Sequence, residues 1–405
     1  MNLLDNLKNI VFVLLAFTLP TSVAVTNILL VVFLLVWLLE GDFIRKLDVF
    51  KSNKWLWSIL GLAVMYLIGL FYGHNHNDAN YVIQRVSLVL MFIVFTTSKI
   101  SQNSFYYALI LFLLTNFLSA SISILINNDI IEPLGNYISI VSTDSSISAF
   151  LKYNYHNILL SFSCLLSFML FHLSKNKYAF LYLFFIPIYC LSIFSEAGRA
   201  GQLTLNVFMF FYFIYFLRKK IVYSISILLF LMLVNYSSYN NSTIFKYRVD
   251  HLNHIVKNNG EKKNPKSKEK DIRYLFFEES LSLIKEHPFF GFGTGSFSSV
   301  LISNTNSSYD FEKHKTPHNN FLYVIFELGI FGFMIFLSIF YYQIKYIVNR
   351  SNMKIHSIIL PTFYLFLMLF DSYFFIFTIT VMYIFMFKIF SEIDLNLKKS
   401  LFIKQ

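Results

Sequence analysis

The stretch Ile10–Leu39, IVFVLLAFTLPTSVAVTNILLVVFLLVWLL, decides the fold class of this 405-residue chain. It holds two apolar runs that follow one another directly, and neither run contains an Asp, Glu, Lys or Arg. Each run approaches the roughly 20 residues that a helix needs to cross the hydrocarbon core of a bilayer. Because backbone polar groups inside lipid must bond to one another, such runs form helices. The stretch therefore predicts two membrane-spanning helices.

Similar runs recur along the chain and predict an all-α polytopic membrane protein with about twelve transmembrane helices. Hydrophobic residues make up 56% of the chain and charged residues only 14%, which is more apolar surface than a soluble protein could bury. The predicted spans are 9–23, 25–39, 55–72, 81–97, 105–126, 156–173, 178–195, 202–217, 221–236, 318–343, 357–370 and 373–389.

Lys and Arg residues collect in alternate loops, a pattern that marks the cytoplasmic side of a membrane protein. It predicts a multi-pass protein of the bacterial inner membrane with both termini cytoplasmic, and a first run that is retained as a helix. The net charge of +11 fits loops that meet phosphate headgroups, so the bilayer, and not nucleic acid, is the expected partner. The basic loops are Arg45–Lys54, Lys99, Lys175–Lys177, Arg218–Lys220, Lys345–Lys354 and Lys398–Lys404.

The topology divides the chain into three regions. Transmembrane helices are expected over 1–236 and again over 318–405, and the polar segment 237–317 between them is expected to be a long periplasmic loop. Within this loop, Asp271–Glu286 has the pattern of an amphipathic helix suited to the membrane surface. The basic run Lys257–Lys270 fits either a solvated loop or a patch for anionic lipid or phosphorylated sugar.

Several ionisable residues are predicted to lie at the outer ends of spans, where each carries an energetic cost. Five separate parts of the chain supply them, so the topology favours one site at the periplasmic face. Snorkelling of charged tips at the interface remains an alternative, above all for Arg85 and His156. The candidates for substrate binding are Arg85, His156, Glu196, His314 and Asn319, and those for catalysis are Arg199, Arg273 and His318.

The stretch Lys313–Leu322, KHKTPHNNFL, contains the strongest candidate for a general base. Thr316 is predicted to be the N-cap and Pro317 the first helical residue, which puts His318 in the first turn. Helix N-termini bind phosphate and other anions, so His318 is expected to act as a base beside a bound diphosphate. His314 is the local competitor, although its expected place is the loop outside the cap.

Two glycine-containing stretches add candidate binding groups. In Glu196–Gln202, EAGRAGQ, glycines flank Arg199, which suggests close approach of a ligand and an arginine that clamps phosphate oxygens. A tight hairpin with an interfacial arginine is the alternative. His287–Phe297, HPFFGFGTGSF, lacks the Gly-Lys-Ser/Thr end of a P-loop, and its aromatic residues suit sugar stacking or the membrane interface.

The sequence predicts neither a metal site nor a cofactor. His74-Asn75-His76 has no visible carboxylate or Cys partner, and no Asp-x-Asp motif for a metal–nucleotide complex is evident. Cys164 and Cys190 both lie in apolar runs, which argues against a structural disulfide or a Cys-based zinc site. A nucleotide-sugar donor is therefore disfavoured, and a lipid-borne donor is expected.

The order of these motifs resembles that of the O-antigen ligase and polymerase superfamily over about Glu196–Gly332. The resemblance depends on the joint order, since each motif is weak alone. The motifs are Gly198–Gly201 (GRAG), Asp271–Leu275 (DIRYL), His287–Phe297, His318–Leu322 (HNNFL) and Glu327–Gly332 (ELGIFG).

The resemblance implies a metal-independent, inverting glycosyltransferase with a periplasmic active site. It would transfer O-antigen from undecaprenyl diphosphate to a sugar hydroxyl of lipid A–core during lipopolysaccharide assembly. The essential arginines of the family align with Arg199 and Arg273, and its essential histidine aligns with His318. Arg85 has no family motif to anchor it, so its role is inferred from its position alone.

Three other functions remain open. An O-antigen polymerase of the same superfamily would use a second lipid-linked repeat unit as the acceptor, and a protein O-glycosyl ligase would use a protein. A polysaccharide flippase or transporter would instead need charges near the middle of several spans. Most central positions of the predicted spans are apolar, and Glu327 and Asp371 are the main exceptions. Asp371 is expected only to mark a break between the last two spans.

Overall fold

The computed structural model describes residues 3–133, 138–141, 144–173, 177–217, 221–247, 249–250, 272–304, 315–350 and 355–393. These residues are overwhelmingly helical, which confirms the predicted class. The single sheet among them is an antiparallel hairpin of β1 (Ile138–Val141) and β2 (Asp144–Ile147), which the sequence did not predict.

Sixteen α-helices have both ends in the described part of the chain, and residues 243–247 and 249–250 are helical as well. Two 3-10 helices, Lys177–Phe184 and Tyr373–Phe375, join some of them. The α-helices are α1 (Leu3–Thr18), α2 (Val23–Leu39), α3 (Phe43–Ser52), α4 (Lys54–Gly69), α5 (His76–Val89), α6 (Met91–Thr97), α7 (Gln102–Asn127), α8 (Tyr153–Leu173), α9 (Phe185–Ser195), α10 (Arg199–Leu217), α11 (Ile221–Asn241), α12 (Ile272–Ile284), α13 (Phe297–Asn304), α14 (Asn320–Arg350), α15 (Ile355–Leu367) and α16 (Phe377–Glu392).

Within the described ranges, six helical stretches are long and apolar enough to cross a membrane, or up to seven if the bent pair α2 and α3 counts as one span. The chain is therefore a membrane protein. The expected twelve spans are not confirmed, because α1 and α16, for example, have only 16 residues each. The six stretches are Asp78–Thr97, Gln102–Asn127, Tyr153–Leu173, Arg199–Leu217, Ile221–Asn241 and Asn320–Arg350.

Packing divides the chain into two compact units. The first unit comprises Met1–Asp5, Leu34–Lys99 and Pro265–Asp394, and the second comprises Asn6–Phe33, Ile100–Asn264 and Leu395–Gln405. The three regions expected from the membrane topology, 1–236, 237–317 and 318–405, are defined by the predicted loops and not by packing. They stay a prediction.

In the first unit, α4 packs along α14, and the Ser338 hydroxyl donates to that of Ser58 at 2.8 Å. Helix α14 is broken at Gly329, whose φ of 61° and ψ of −165° are not helical. The segment 288–295 fills the break: Phe292 N–H donates to the carbonyl of Phe326 at 3.0 Å, and Ile330 N–H donates to the first carbonyl of the segment at 2.9 Å. Backbone groups that the break exposes are thus satisfied inside the protein, as a membrane segment requires.

The glycines of this segment have a packing role. Gly291, Gly293 and Gly295 all have positive φ, between 70° and 89°, which only glycine adopts readily. A Cβ atom on Gly295 would collide with the backbone of Ala79 at the start of α5. The glycines therefore let the segment lie directly against neighbouring backbone.

The second unit is organised around α8, which packs against α7, α9 and α10 and is buried along most of its length. Asn127 at the end of α7 fixes the β-hairpin, since its side chain donates to the carbonyl of Ile147 at 2.8 Å and accepts from the N–H of Ile147 at 3.0 Å. Buried polar side chains on α7, on α8 and at the end of α9 bond to one another within this unit.

The close packing of Gly295 predicts a large loss of stability in Gly295→Ala. The matched control is Gly41→Ala, because Gly41 also has a positive φ, of 65°, but no atom lies within 4 Å of the position that its Cβ would take. The control carries only the backbone penalty of about 1–2 kcal/mol. Gly295→Ala adds a steric clash and is expected to cost about 3 kcal/mol or more. Thermal unfolding of both variants in detergent measures the difference, and equal losses would contradict this packing.

Candidate active site

Helix α14 begins three residues later than the sequence predicted. The side-chain oxygen of Asn319 accepts the N–H of Leu322 at 3.0 Å, which is the bond that an N-cap residue makes to the third residue of its helix. Asn319 is thus the cap, and the prediction that Thr316 caps the helix with His318 in its first turn is wrong. His318 lies immediately before the cap, and Asn320 is the first helical residue.

His318 has a strained backbone. Its φ is 55°, a left-handed conformation that costs a residue other than glycine about 1–2 kcal/mol. Two hydrogen bonds hold the neighbouring residues on the turn after α15: Asn320 N–H donates to the carbonyl of Met368 at 2.9 Å, and the Asn319 amide donates to that of Leu369 at 3.2 Å. The strain is therefore maintained by bonds from the two residues that follow His318 to the turn after α15.

The side chain of His318 is paired with Asp371. Its Nδ1 lies 3.0 Å from Oδ1 of Asp371, and the same oxygen accepts the N–H of Ser372 at 2.7 Å. Because an ionised carboxylate only accepts, Nδ1 carries a proton and the lone pair of the neutral ring lies on Nε2. The side chains are 28% and 20% exposed, so a substrate can reach the pair.

Sequence reasoning missed this role of Asp371. The two residues are 53 positions apart, and no local motif links them. The available signal was that Asp371 is an acidic side chain in an otherwise apolar stretch. Such a side chain needs a partner inside a membrane protein.

A second group of charged residues in the first unit surrounds Tyr81. The guanidinium of Arg85 lies 5.2 Å from the centroid of the Tyr81 ring, and the ammonium of Lys315 lies 5.3 Å from the same centroid. Lys315 also forms an ion pair with Asp78 at 3.1 Å. The predicted Arg85 is thus brought together with Lys315, which the sequence did not single out.

Two predicted site residues fall partly or wholly outside the described structure. Arg273 lies in α12, which confirms the helix expected over Asp271–Glu286, but its side chain is outside the described residues. His314 is outside them entirely. Helix α12 packs against α14, and the centroid of the Phe276 ring lies 6.1 Å from that of the His318 ring.

In the second unit, His156 and Glu196 form a fully buried pair. His156 Nδ1 lies 2.9 and 3.1 Å from the two carboxylate oxygens of Glu196, and Nε2 lies 2.9 Å from the hydroxyl of Ser119. The Ser192 hydroxyl donates to Glu196 Oε1 at 3.0 Å. Both ring nitrogens of His156 are therefore engaged within the protein.

The glycines beside Arg199 allow α8 and α10 to pack closely. A Cβ atom on Gly198 or Gly201 would collide with Asn157 of α8. The amide of Asn157 donates to the carbonyls of Ile193 at 3.1 Å and Gly198 at 3.4 Å. Arg199 itself starts α10, is exposed, and has no hydrogen bond or ion pair within the described ranges.

The described residues contain no group of three or more His, Cys, Asp or Glu side chains placed to hold a metal ion. His74 instead lies near Ser296, whose hydroxyl accepts the backbone N–H of His74 at 2.9 Å. Metal independence stays a prediction.

The apolar helices, together with a partly exposed His–Asp pair, define a helical membrane protein with a candidate general base. A family comparison then identifies the segment: residues 184–337 match the family described as O-antigen ligase. This match spans Arg199, Arg273 and His318 and confirms the resemblance to the O-antigen ligase superfamily, whose members are glycosyltransferase-like enzymes and include polymerases. No curated protein matches the chain in sequence.

The buried pair of the second unit predicts that His156→Ala lowers the free energy of unfolding by about 3–5 kcal/mol, since Glu196 loses its main partner. His172→Ala is a control on the same helix. His172 is only half-buried, and the centroid of its ring lies 4.6 Å from that of the Phe216 ring, so its removal should cost about 1 kcal/mol. Thermal denaturation in detergent compares the two variants, and a smaller loss for His156→Ala than for His172→Ala would refute the pairing.

Proposed function

We propose that this protein is an O-antigen ligase of the bacterial inner membrane. It transfers polysaccharide from undecaprenyl diphosphate to a sugar hydroxyl of lipid A–core, at the periplasmic face, with both termini cytoplasmic. The observation that carries the proposal is the pairing of His318 with Asp371 at 3.0 Å, where His318 belongs to the segment that matches the O-antigen ligase family. A partly exposed imidazole held in one tautomer is suited to take a proton from a sugar hydroxyl.

The proposed reaction is a single inverting displacement. Nε2 of His318 accepts the proton of the acceptor hydroxyl while the hydroxyl oxygen attacks the anomeric carbon of the donor glycan. The bond from that carbon to the diphosphate breaks, and undecaprenyl diphosphate leaves as an anion. Asp371 acts as a positioning residue, because it fixes the ring and stabilises the imidazolium that forms. The reaction takes no metal or cofactor.

Arg199 and Arg273 are proposed to bind the diphosphate and to stabilise the charge that it gains as it leaves. The assignment rests on the family resemblance. For Arg199 it is supported by an exposed position at the start of α10, without a partner among the described residues. A guanidinium group can bind phosphate oxygens with two parallel hydrogen bonds, and losing one such contact would slow transfer by about 10²–10³.

The remaining candidates receive different proposed roles. His156 and Glu196 are buried and bonded to each other, so we assign them to holding the turn that precedes Arg199. Asn319 caps α14 and positions His318 beside it. His314 stays a candidate for substrate contact.

An O-antigen polymerase is the second candidate, because the matched family covers both activities. The donor and the proposed chemistry are the same, and only the acceptor differs. A polymerase would join lipid-linked repeat units and would not use lipid A–core.

The His318–Asp371 pair predicts the kinetics of two variants. His318→Ala is expected to lower kcat by about 10²–10⁴, because no base removes the hydroxyl proton. Asp371→Asn is expected to lower kcat by about 10² or more and leave KM unchanged, since the ring loses its orienting carboxylate and the substrate contacts remain. Purified protein, lipid-linked glycan and lipid A–core, with product measured by mass spectrometry, provide the assay.

Asp42→Asn is the matched control for Asp371→Asn. Asp42 is a paired carboxylate of the same unit, 2.6 Å from Nε of Arg45, and the hydrogen bond from Arg45 lowers the pKa of Asp42. Its removal is expected to leave kcat unchanged. Wild-type transfer by folded Asp371→Asn protein would eliminate the positioning role.

A further inference from the structure

We propose that Arg85 and Lys315, which converge on the ring of Tyr81, form a binding site for a phosphate group of the substrate. The inference rests on the proposed function, because it assigns this site to a phosphate-bearing glycan substrate. It adds Lys315 and Tyr81 to the site and defines what Arg85 binds.

The site is built from one face of α5 and from the segment before α14. Asp78, Tyr81 and Arg85 follow at spacings of three and four residues, so they share a helix face. Lys315, from the segment before α14, lies against this face: its ammonium is 5.3 Å from the centroid of the Tyr81 ring and 3.1 Å from Oδ1 of Asp78. Two cations of different segments are thus held on a single aromatic ring.

The charges of this group are not balanced by its own residues. Asp78 is the acid that faces the cations, and it already accepts from the Ser298 hydroxyl at 2.5 Å and the Asn75 amide at 2.9 Å, besides its ion pair with Lys315. Arg85 has no ion pair within the described ranges. The group therefore keeps an excess positive charge.

Arg85 also has an unsatisfied donor. Its Nε is buried and has no hydrogen-bond partner among the described residues. The residue lies inside the candidate span Asp78–Thr97, where a charged group without an acceptor is costly. Stacking on Tyr81 offsets the charge in part but leaves this N–H without an acceptor. An anionic oxygen would satisfy it.

Phosphate is the anion that fits the donors present. A guanidinium offers several N–H groups in a fixed fork, and an ammonium adds a mobile point charge. The Lys315 side chain is 49% exposed, so a ligand can approach it from solvent and compete with Asp78. Lys315 is also only three residues before His318, which links the site to the segment that carries the proposed base.

The phosphate could belong to the diphosphate of the donor or to a phosphorylated sugar of the acceptor. Both present the same oxygens, and a kinetic comparison of the two substrates distinguishes them.

The test uses the full chain in nanodiscs with inorganic pyrophosphate as the probe. Isothermal titration is expected to give about tenfold weaker binding for Arg85→Gln and for Lys315→Gln, because each loses a charge-assisted contact. Glutamine retains hydrogen-bonding capacity, and Lys315 is exposed enough for its variant to fold if Arg85→Gln does not. Arg350→Gln is the control: Arg350 lies 4.9 Å from the Tyr346 ring centroid at the other end of α14, and its variant should bind as wild type does.

Transfer kinetics then identify the source of the phosphate. A raised KM for the lipid-linked donor alone assigns the site to the diphosphate, and a raised KM for the phosphorylated acceptor alone assigns it to the acceptor. Either result supports the site. Pyrophosphate binding that is absent in wild type, or equal in wild type and in both variants, overturns it.

The same measurements separate this inference from the proposed function. If wild-type protein binds pyrophosphate through Arg85 and Lys315 but transfers no glycan, the phosphate site stands and the ligase proposal fails. If transfer depends on His318 while both cluster variants bind as wild type does, the phosphate site fails and the ligase proposal stands.

Discussion

A helix that is broken inside a membrane protein leaves backbone N–H and C=O groups that lipid cannot satisfy. In this protein the break lies at Gly329 of α14, and the segment 288–295 supplies the missing partners. The Glu327 side chain completes the arrangement by accepting the N–H of Gly295 at 2.9 Å. These bonds fix the part of α14 that precedes the break. Asn319 caps the start of that part, and His318 lies immediately before the cap.

The geometry at His318 depends on a second set of backbone bonds. Asn319 and Asn320 bond to the turn after α15, and the side chain of Asn320 accepts the N–H of Phe374 at 2.9 Å. Strain of about 1–2 kcal/mol in a left-handed histidine persists only where the surroundings fix it. These bonds fix it and bring Asp371, from the same turn, to the ring. A polar pair that lies 53 positions apart in sequence is thus assembled by the ends of two helices.

Much of the architecture follows from local sequence signals. Apolar runs predict the helices, and the order of five motifs predicts the superfamily. Helix α12 and the position of His318 near a helix start are also anticipated, because each depends on a few adjacent residues. The first residue of this helix is not anticipated, because Thr316 and Asn319 are both good N-caps and tertiary hydrogen bonds determine which of them caps the helix. The His318–Asp371 pair and the close packing of Gly198 against Asn157 are long-range contacts, for which a single sequence holds no direct signal.

The lipopolysaccharide profile of a deletion strain, resolved on a gel, tests the central claim most directly. The account predicts that the long-chain ladder disappears while polymerised glycan accumulates on undecaprenyl diphosphate. Wild-type protein should restore the ladder, and His318→Ala, inserted at the same level, should not. Core that carries a single repeat unit would identify a polymerase instead. An unchanged ladder in the deletion strain, or a ladder restored by His318→Ala, would contradict the account.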